Sequence, residues 1–249
     1  MRKSGTSAGR HRPQGLTILY EDRDILVVDK APGLLTVGTE KERTRTAYYR
    51  LTDYVRKGNA KSRKRVFVVH RLDREVSGIL VFSKTAAAKT SLQDQWKETE
   101  KKYLVVVHGK LANRAGIIST YLAENRAHVV YSTSDHKKGK LSHTAYRVLK
   151  ETRAFSLLEI TLLTGRKNQI RVHLAESGHP IVGDKKYGER DRAHKRLALH
   201  AQSISFKHPF SGRQVAFEAP VPGYFSRLIG GMGREVPEGL PPSSAESCR

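Results

Sequence analysis

Apolar residues in this chain fall mainly into short runs that polar turns separate, a pattern typical of β-strands. In the run that ends at His108, Tyr103, Val105 and Val107 alternate with other positions and therefore share one face. Residues 112–142 are polar and irregular, so no strand is predicted there. Strands are predicted at residues 18–20, 25–28, 66–69, 79–82, 101–108, 143–150 and 155–163, with two more within 197–218.

Other segments show the spacing of an amphipathic helix. Thr85 precedes one of them as a predicted N-cap, and Asn168 precedes another, which Gly178 closes. Inside the basic stretch 40–65, the apolar residues with helical spacing are Tyr48, Leu51, Tyr54 and Val55. Helices are therefore predicted within 40–65, over 85–98 and over 169–177.

These elements predict an α+β fold, with a mixed, mostly antiparallel sheet flanked by helices and loops. No internal repeat and no domain-sized linker interrupts residues 16–229, which we predict to form a single domain. Residues 1–15 are basic and lack an aliphatic cluster, so they predict a disordered arm. Residues 230–249 are rich in Gly, Pro and Ser and predict a flexible tail. The single-domain layout and the high charge favour a monomer.

The charge of the chain changes this picture of an ordinary α+β protein. Lys and Arg total 46 against 24 Asp and Glu, a formal net charge of +22. Such a surplus indicates a polyanionic partner, of which nucleic acid is the first choice and an anionic membrane surface the alternative. No apolar run approaches the length of a membrane span, and residues 1–15 have no apolar centre like that of a signal peptide. We therefore expect a soluble, cytoplasmic protein.

Cysteine and histidine usage excludes several kinds of chemistry. Cys248 is the single cysteine, so the chain has no internal disulfide and no Cys-based zinc site. Its place near the end of the chain argues against a catalytic thiol. His136 and His143 have no third ligand at a fitting spacing, so we predict no metal site.

The candidate chemistry lies in the polar connection between the predicted strands 66–69 and 79–82. Asp73 stands there between Arg71 and Arg74, which favour the ionised form of its carboxyl group. An ionised carboxylate on a rigid loop can act as a nucleophile. Taken alone, however, an aspartate between two arginines more often belongs to an ordinary surface ion-pair loop.

Further motifs give this loop a context. Together with it they resemble the RluA-type pseudouridine synthases, and the resemblance extends from Leu16 to Leu228. The pairing of His-Arg-Leu-Asp-Arg with Gly-Arg-x-x-Gln-Ile-Arg-x-His at this separation is highly specific, whereas Arg-Leu-Asp alone is not. The segments that carry the resemblance are residues 27–34, 70–78, 102–104, 164–174, 178–184 and 187–188.

The resemblance implies a reaction in which a uridine of RNA becomes pseudouridine. The C1′–N1 glycosidic bond breaks, the uracil turns, and C1′ rejoins the base at C5. No atom is gained or lost and there is no net redox change, so no cofactor is required. The sequence agrees, because it shows no P-loop and no Gly-x-Gly-x-x-Gly after a strand.

The resemblance also implies roles for individual residues. Asp73 is the catalytic aspartate, although the sequence leaves open whether it attacks C1′ or acts through elimination. Tyr103 packs against the uracil and helps to remove the C5 proton; the alternative is a core aromatic residue on an alternating strand. Arg171 pairs with Asp73 and holds it ionised; the alternative is a surface arginine on a helix.

RNA contacts are implied as well. The target uridine must leave its stack, and Arg71 matches the arginine that enters the space left by the base. Arg166 and Lys167 are candidate phosphate contacts, although a turn that merely exposes two cations explains them equally well. Arg74 completes the predicted RNA-binding set.

Some features depart from the family pattern. Val76 replaces a frequent Thr, and Lys167-Asn168 replaces Thr-His or Arg-His, which leaves the choice of substrate open.

We expect a stand-alone synthase without the S4 RNA-binding domain of many relatives. The predicted substrate is ribosomal or transfer RNA. The main alternative is a non-catalytic RNA-binding protein on the same fold, such as a ribosome-assembly factor.

Overall fold

The predicted strands form one mixed sheet in the computed structural model, which describes residues 13–188, 191 and 193–231. The α+β prediction is therefore confirmed. The strands are β1 (Leu16–Glu21), β2 (Ile25–Lys30), β3 (Phe67–Val68), β4 (Ser77–Ser83), β5 (Glu100–His108), β6 (Ala115–Glu124), β7 (Val130–Thr133), β8 (Lys140–Glu151), β9 (Phe155–Leu162), β10 (Leu199–Lys207) and β11 (Gln214–Glu218). The helices are α1 (Ala47–Arg56), α2 (Ala86–Asp94), α3 (Gln169–Glu176) and α4 (Gly223–Ile229).

The strand order brings distant parts of the sequence together. Along the sheet the strands follow the order β1-β2-β4-β10-β5-β9-β8-β6-β7, while β3 pairs with β4 and β11 pairs with β10. Within the described residues only β4 and β10 run parallel, with Ser77 opposite His200 and Gly78 opposite Ala201. A single strand, β10, therefore separates β4, which follows the Asp73 loop, from β5, which carries Tyr103.

The centre of the sheet is buried on both faces. Leu80 and Phe82 of β4 belong to one apolar cluster, while Ile79 and Val81 belong to a second cluster on the opposite face. Every residue of β4 is buried, which explains why its sequence is a continuous apolar run rather than an alternation. The loop that precedes β4 is thus attached to one of the most rigid parts of the molecule.

Local capping signals explain where two of the helices begin. The Thr85 hydroxyl accepts a hydrogen bond from the Ala88 amide, as predicted for an N-cap. The helix that follows ends at Asp94, earlier than predicted. Thr46 caps α1 in the same way, by accepting a hydrogen bond from the Tyr49 amide.

The prediction that residues 112–142 are irregular was wrong, because they contain β6 and β7. Most side chains of β6 are exposed or half-buried. Its sequence therefore lacks the apolar run or alternation that predicts a strand. Its backbone is held instead by antiparallel pairing with β8, from Ala115 to Leu122. The short helix α4 also lacked a sequence signal, although its Phe225 and Ile229 are buried.

The predicted arm and tail lie largely outside the described residues, which leave out 1–12 and 232–249. The domain limits therefore stay predictions. Residues 13–15 contact the sheet, since the Gly15 carbonyl accepts a hydrogen bond from the Ala31 amide. None of the helices in the described part of the chain is long and apolar enough to cross a membrane.

Gly78→Ala is expected to destabilise the protein severely. Gly78 has φ of +109°, and a β-carbon there would lie 2.2 Å from the Ala201 carbonyl oxygen of β10. Because this obstacle is a backbone atom, β4 and β10 would have to separate, at a cost of about 3 kcal/mol or more in the free energy of unfolding. Chemical denaturation measures this loss.

Gly223→Ala is the matched control. A β-carbon at Gly223, the first residue of α4, meets no atom within 4 Å. This variant is expected to be neutral or slightly stabilised, because alanine favours the helix. Equal stability of the two variants would contradict the close approach of β4 and β10.

Candidate active site

The Asp73 loop joins β3 to β4 and is fixed by the segment that follows β2. The Thr36 hydroxyl donates a hydrogen bond to the Leu72 carbonyl over 2.8 Å and accepts one from the Leu72 amide over 3.1 Å. The Gly33 amide donates to the Arg74 carbonyl over 2.8 Å. Thr36 and Leu72 are buried, so the backbone on both sides of Asp73 is held in place.

Lys30 supports the same loop from the protein interior. Its fully buried ammonium group donates hydrogen bonds to the carbonyls of Ala31, Leu34 and Arg74. Burial lowers the pKa of Lys30 to about 8, against the opposing attraction of Glu75 and other carboxylates. Sequence reasoning assigned no role to Lys30, although a lysine at the end of an apolar strand and before Pro-Gly is a detectable signal.

Asp73 lies against Arg171 of α3. Nη1 of Arg171 is 3.3 Å from Oδ2 of Asp73, as the sequence resemblance implied. About a third of the Asp73 side chain (34%) is exposed, whereas only 9% of the Arg171 side chain is. The carboxylate is therefore open to a ligand, while its cationic partner is held within the protein.

Asp184 holds Arg171 from the other side. Its carboxylate accepts two hydrogen bonds from the guanidinium group, over 2.8 Å from Nε and 2.7 Å from Nη2. It also accepts from the amides of Lys186 and Tyr187. Burial by itself raises the pKa of Asp184, but these hydrogen bonds and the charge of Arg171 outweigh it and lower the pKa. Asp184 thus orients Arg171, whose guanidinium group contacts Asp73.

Sequence reasoning missed Asp184 as a site residue, although its segment was part of the resemblance. The available signal was an aspartate between Gly183 and Gly188. Asn168 occupies the N-cap position of α3, as predicted, but it has a φ of 53° and its side chain caps no amide. Instead its Oδ1 accepts from Nη1 of Arg171 over 3.2 Å and its Nδ2 donates to the Tyr187 hydroxyl over 3.1 Å. Tertiary contacts, rather than the helix end, use this side chain.

Tyr103 of β5 lines the same cleft as Asp73. Burial raises the pKa of Tyr103 above its ordinary value, and the charge of Asp73 raises it further. Its phenol is therefore protonated at neutral pH. In the resting site Tyr103 can pack against a base or donate a hydrogen bond, but it is not an ionised base.

These residues share one large cleft. It has a volume of about 980 Å³ and is lined by both polar and apolar side chains, including Asp73, Tyr103 and Arg171. Apolar walls next to Asp73 are formed by Leu72 and Ile170. The cleft can accept a planar base between apolar surfaces while a carboxylate faces it.

Comparison with known proteins decides the family of this chain. Residues 24–176, which include Asp73, Tyr103 and Arg171, match a family model described as RNA pseudouridylate synthase. The chain belongs to this family. It is an RNA pseudouridine synthase, an isomerase, and the similarity supports a catalytic protein over the non-catalytic alternative.

Individual relatives agree with this assignment. The synthase is 36% identical to RNA pseudouridine synthase YlyB of Bacillus subtilis over 221 residues, which are 87% of this chain and 73% of that protein. It is 35% identical to ribosomal large subunit pseudouridine synthase D of Xanthomonas campestris over 230 residues, 86% of this chain and 68% of that protein. The solved structure of human RNA Pseudouridylate Synthase Domain Containing 1 superposes with a TM-score of 0.71, at 28% identity and 88% coverage of both chains.

The predicted RNA contacts of the synthase lie around the cleft. Arg71, Arg166 and Lys167 are exposed and line it. Lys167 also forms an ion pair with Glu124. Arg74 was expected to act on Asp73, but its Nε donates to the Gly33 carbonyl over 3.1 Å instead. In the described structure, the ion pair to Asp73 therefore comes from Arg171 and not from its neighbours in sequence.

One group of possible metal ligands occurs among the described residues of the synthase, away from the cleft. His108, Asp191 and His194 place their ligand atoms within 4.8 Å of one another. Asp191 accepts hydrogen bonds from the Gly183 amide over 2.7 Å and approaches both imidazoles, at 2.9 and 2.8 Å. Hydrogen bonds account for this group as an anchor of the turn that begins at Gly183. The absence of a metal stays a prediction.

Proposed function

We propose that this synthase isomerises specific uridines of ribosomal or transfer RNA, with Asp73 as the catalytic carboxylate. The observation that carries the proposal is the carboxylate of Asp73, open to the cleft and paired at 3.3 Å with a largely buried Arg171. The ribosomal substrate is supported by relatives named ribosomal large subunit pseudouridine synthases C and D. The net charge of +22 supports an RNA partner of either kind.

Both routes for the reaction need an ionised Asp73. In one, the carboxylate attacks C1′ as the glycosidic bond to N1 breaks, and C5 of the turned uracil then displaces the carboxylate from C1′. In the other, Asp73 removes a sugar proton while the base leaves, and it returns that proton as C5 adds to C1′. Arg171 stabilises the carboxylate in either case. In both routes C5 then loses its proton and N1, freed from C1′, gains one, so atoms balance without any cofactor.

Tyr103 is proposed to hold the uracil in place. As a neutral phenol inside the cleft, it can pack against the ring and donate a hydrogen bond. Removal of the C5 proton by Tyr103 would require the phenol to lose its own proton first, which its raised pKa opposes. Packing is therefore its primary role.

The exposed cations at the cleft are proposed to bind the RNA strand. Arg71, two residues before Asp73, lines the cleft and is proposed to fill the space that the flipped uridine leaves, where a planar guanidinium can stack and donate hydrogen bonds. Arg166 and Lys167 are proposed to contact phosphates. Arg74 is proposed to do so through its Nη atoms, because its Nε donates to the Gly33 carbonyl. We also propose that the synthase is a monomer, needs no metal and acts in the cytoplasm.

A map of pseudouridines in cells that lack this protein tests the proposal. We expect at least one mark in ribosomal or transfer RNA to disappear and to return with the wild-type gene but not with the Asp73→Asn gene. The position of the missing mark identifies the target uridine. If every mark survives, and the purified protein converts no uridine in unmodified ribosomal or transfer RNA transcripts, the proposal is wrong.

A further inference from the structure

The cleft extends well beyond the residues that face the target uracil. Its volume of about 980 Å³ lies near the upper limit for ligand pockets, of which a single base fills only a part. Away from Asp73, a second region of the cleft is formed by residues to which the proposed reaction gives no role. They are Val69, His70, Gln93, Trp96 and Lys101.

Two elements connect this second region directly to the catalytic one. Lys101 and Tyr103 are two residues apart on β5, so their side chains point to the same face of the strand, about 7 Å apart along it. His70 and Asp73 likewise belong to the same loop. Each element thus has one residue in the catalytic region, Tyr103 or Asp73. Its other residue, Lys101 or His70, lies in the second region of the cleft.

His70 offers a hydrogen-bond donor to this region. Its Nε2 accepts a hydrogen bond from the Val81 amide over 3.0 Å, so in the neutral ring the proton is on Nδ1. Burial lowers the pKa of His70 to about 3, with a further contribution from the charge of Lys101, so the ring is neutral at physiological pH. Among the described residues, Nδ1 has no hydrogen-bond partner.

Trp96 and Lys101 add an aromatic surface and a positive charge. The Trp96 ring packs beside the His70 ring, with centroids 4.7 Å apart and planes inclined by 32°. The Lys101 ammonium lies 5.4 Å from the centre of the indole and donates to the Trp96 carbonyl over 3.0 Å. An aromatic surface, a neutral donor and a cation are the groups with which proteins hold a nucleotide of single-stranded RNA.

We propose that His70, Trp96 and Lys101, here named the Trp96 wall, form a second nucleotide subsite that binds a neighbour of the target uridine. The base of this neighbour packs against Trp96, an acceptor atom of the nucleotide faces Nδ1 of His70, and a phosphate faces Lys101. The Trp96 wall would then select the RNA by the stacking and hydrogen bonding of a flanking nucleotide. This inference rests on the proposed function, since it assigns the neighbour of its substrate.

Fluorescence tests the Trp96 wall without altering it, because Trp96 is the only tryptophan of the chain. The full-length Asp73→Asn protein is titrated with a short oligouridine and, as the matched control, with an abasic RNA strand of the same length and charge. We expect oligouridine to quench Trp96 emission and the abasic strand to bind with much less quenching. Equal quenching by the two strands, or binding of oligouridine without quenching, overturns the proposal.

Variants test the cation and the stacking surface. Lys101→Met is expected to reduce the slope of log affinity against log salt by about 0.7, the effect of one phosphate contact on a single strand. Lys97→Met removes a neighbouring exposed lysine that does not line the cleft, and its slope is expected to stay unchanged. An equal slope for Lys101→Met and the wild type contradicts the phosphate contact.

Turnover on unmodified ribosomal RNA transcript completes the test. Trp96→Ala is expected to raise KM about 5- to 150-fold while kcat stays near the wild-type value, and Trp96→Phe should restore most of the affinity. If Trp96 only packs against the core, the two variants change thermal stability but not KM, which overturns the subsite. If the wild type forms no pseudouridine on any RNA, the proposed function fails, whereas the fluorescence titration still decides whether the wall binds a base.

Discussion

Replacing Asp73 by asparagine is expected to abolish pseudouridine formation while RNA binding stays nearly unchanged. The two side chains have the same shape, so the cleft and its exposed cations are retained. Asparagine is a much weaker nucleophile than a carboxylate and, equally, cannot serve as a base in an elimination. We expect the single-turnover rate to fall by about 10⁴-fold or more, as when other enzymes lose an essential catalytic group.

The measurement is pseudouridine formation from unmodified transcript under single-turnover conditions, with RNA affinity measured on the same preparations. Asp53→Asn is a matched control, because Asp53 is an exposed aspartate on α1 outside the cleft. It should behave as the wild type in both assays. Turnover retained by Asp73→Asn would contradict both catalytic routes, while a loss of binding equal to the loss of turnover would assign Asp73 a binding role.

Asp184→Asn is expected to produce the second-largest effect, although Asp184 contacts no reacting atom. Its side chain is 1% exposed and makes two hydrogen bonds to Arg171, which in turn contacts Asp73. Without this carboxylate, a largely buried guanidinium keeps only Asp73 as an anionic partner, at a cost of about 3–5 kcal/mol in stability. Arg171 is then free to turn toward Asp73 and to shift it. A misplacement of a catalytic group by about 1 Å lowers the reaction rate about 100-fold.

Thermal unfolding and single-turnover rates at a temperature where the variant is folded separate the two effects. Glu159→Gln is the control, because it breaks an exposed ion pair with Arg147 that is worth at most about 1 kcal/mol. If Asp184→Asn loses stability but turns over like the wild type, Asp184 is structural only and does not position Arg171.

The pH dependence of stability follows from the same contacts. The pKa of Asp184 is lower in the folded protein than the ordinary value of an aspartate. Its contribution to stability is therefore complete above the ordinary pKa and is lost as the pH falls toward the folded value. Asp184→Asn should lack this component, so the stability difference between wild type and variant should shrink on acidification.

Local sequence signals predicted most of the elements correctly. The apolar runs at β2, β4, β5 and β9 are strands because the sheet buries them. Thr85 begins a helix because a hydroxyl can satisfy a free amide. The prediction failed where backbone pairing replaces apolar burial as the main constraint. β6 is held by its hydrogen bonds to β8, and such pairing leaves little trace in composition.

The sequence alone determined the fold class, the anionic partner and the loop that carries Asp73, because each depends on short-range pattern or total charge. The contact between Arg171 and Asp73, which are 98 residues apart, was predicted only through resemblance to a family. The tertiary structure alone decided that Asp184 and Asn168 hold Arg171, that Arg74 turns to Gly33, and that Trp96 lines the cleft. These contacts depend on how α3, β5 and the turn after Gly183 pack together, and no periodicity along the chain encodes the distance between two side chains on different elements.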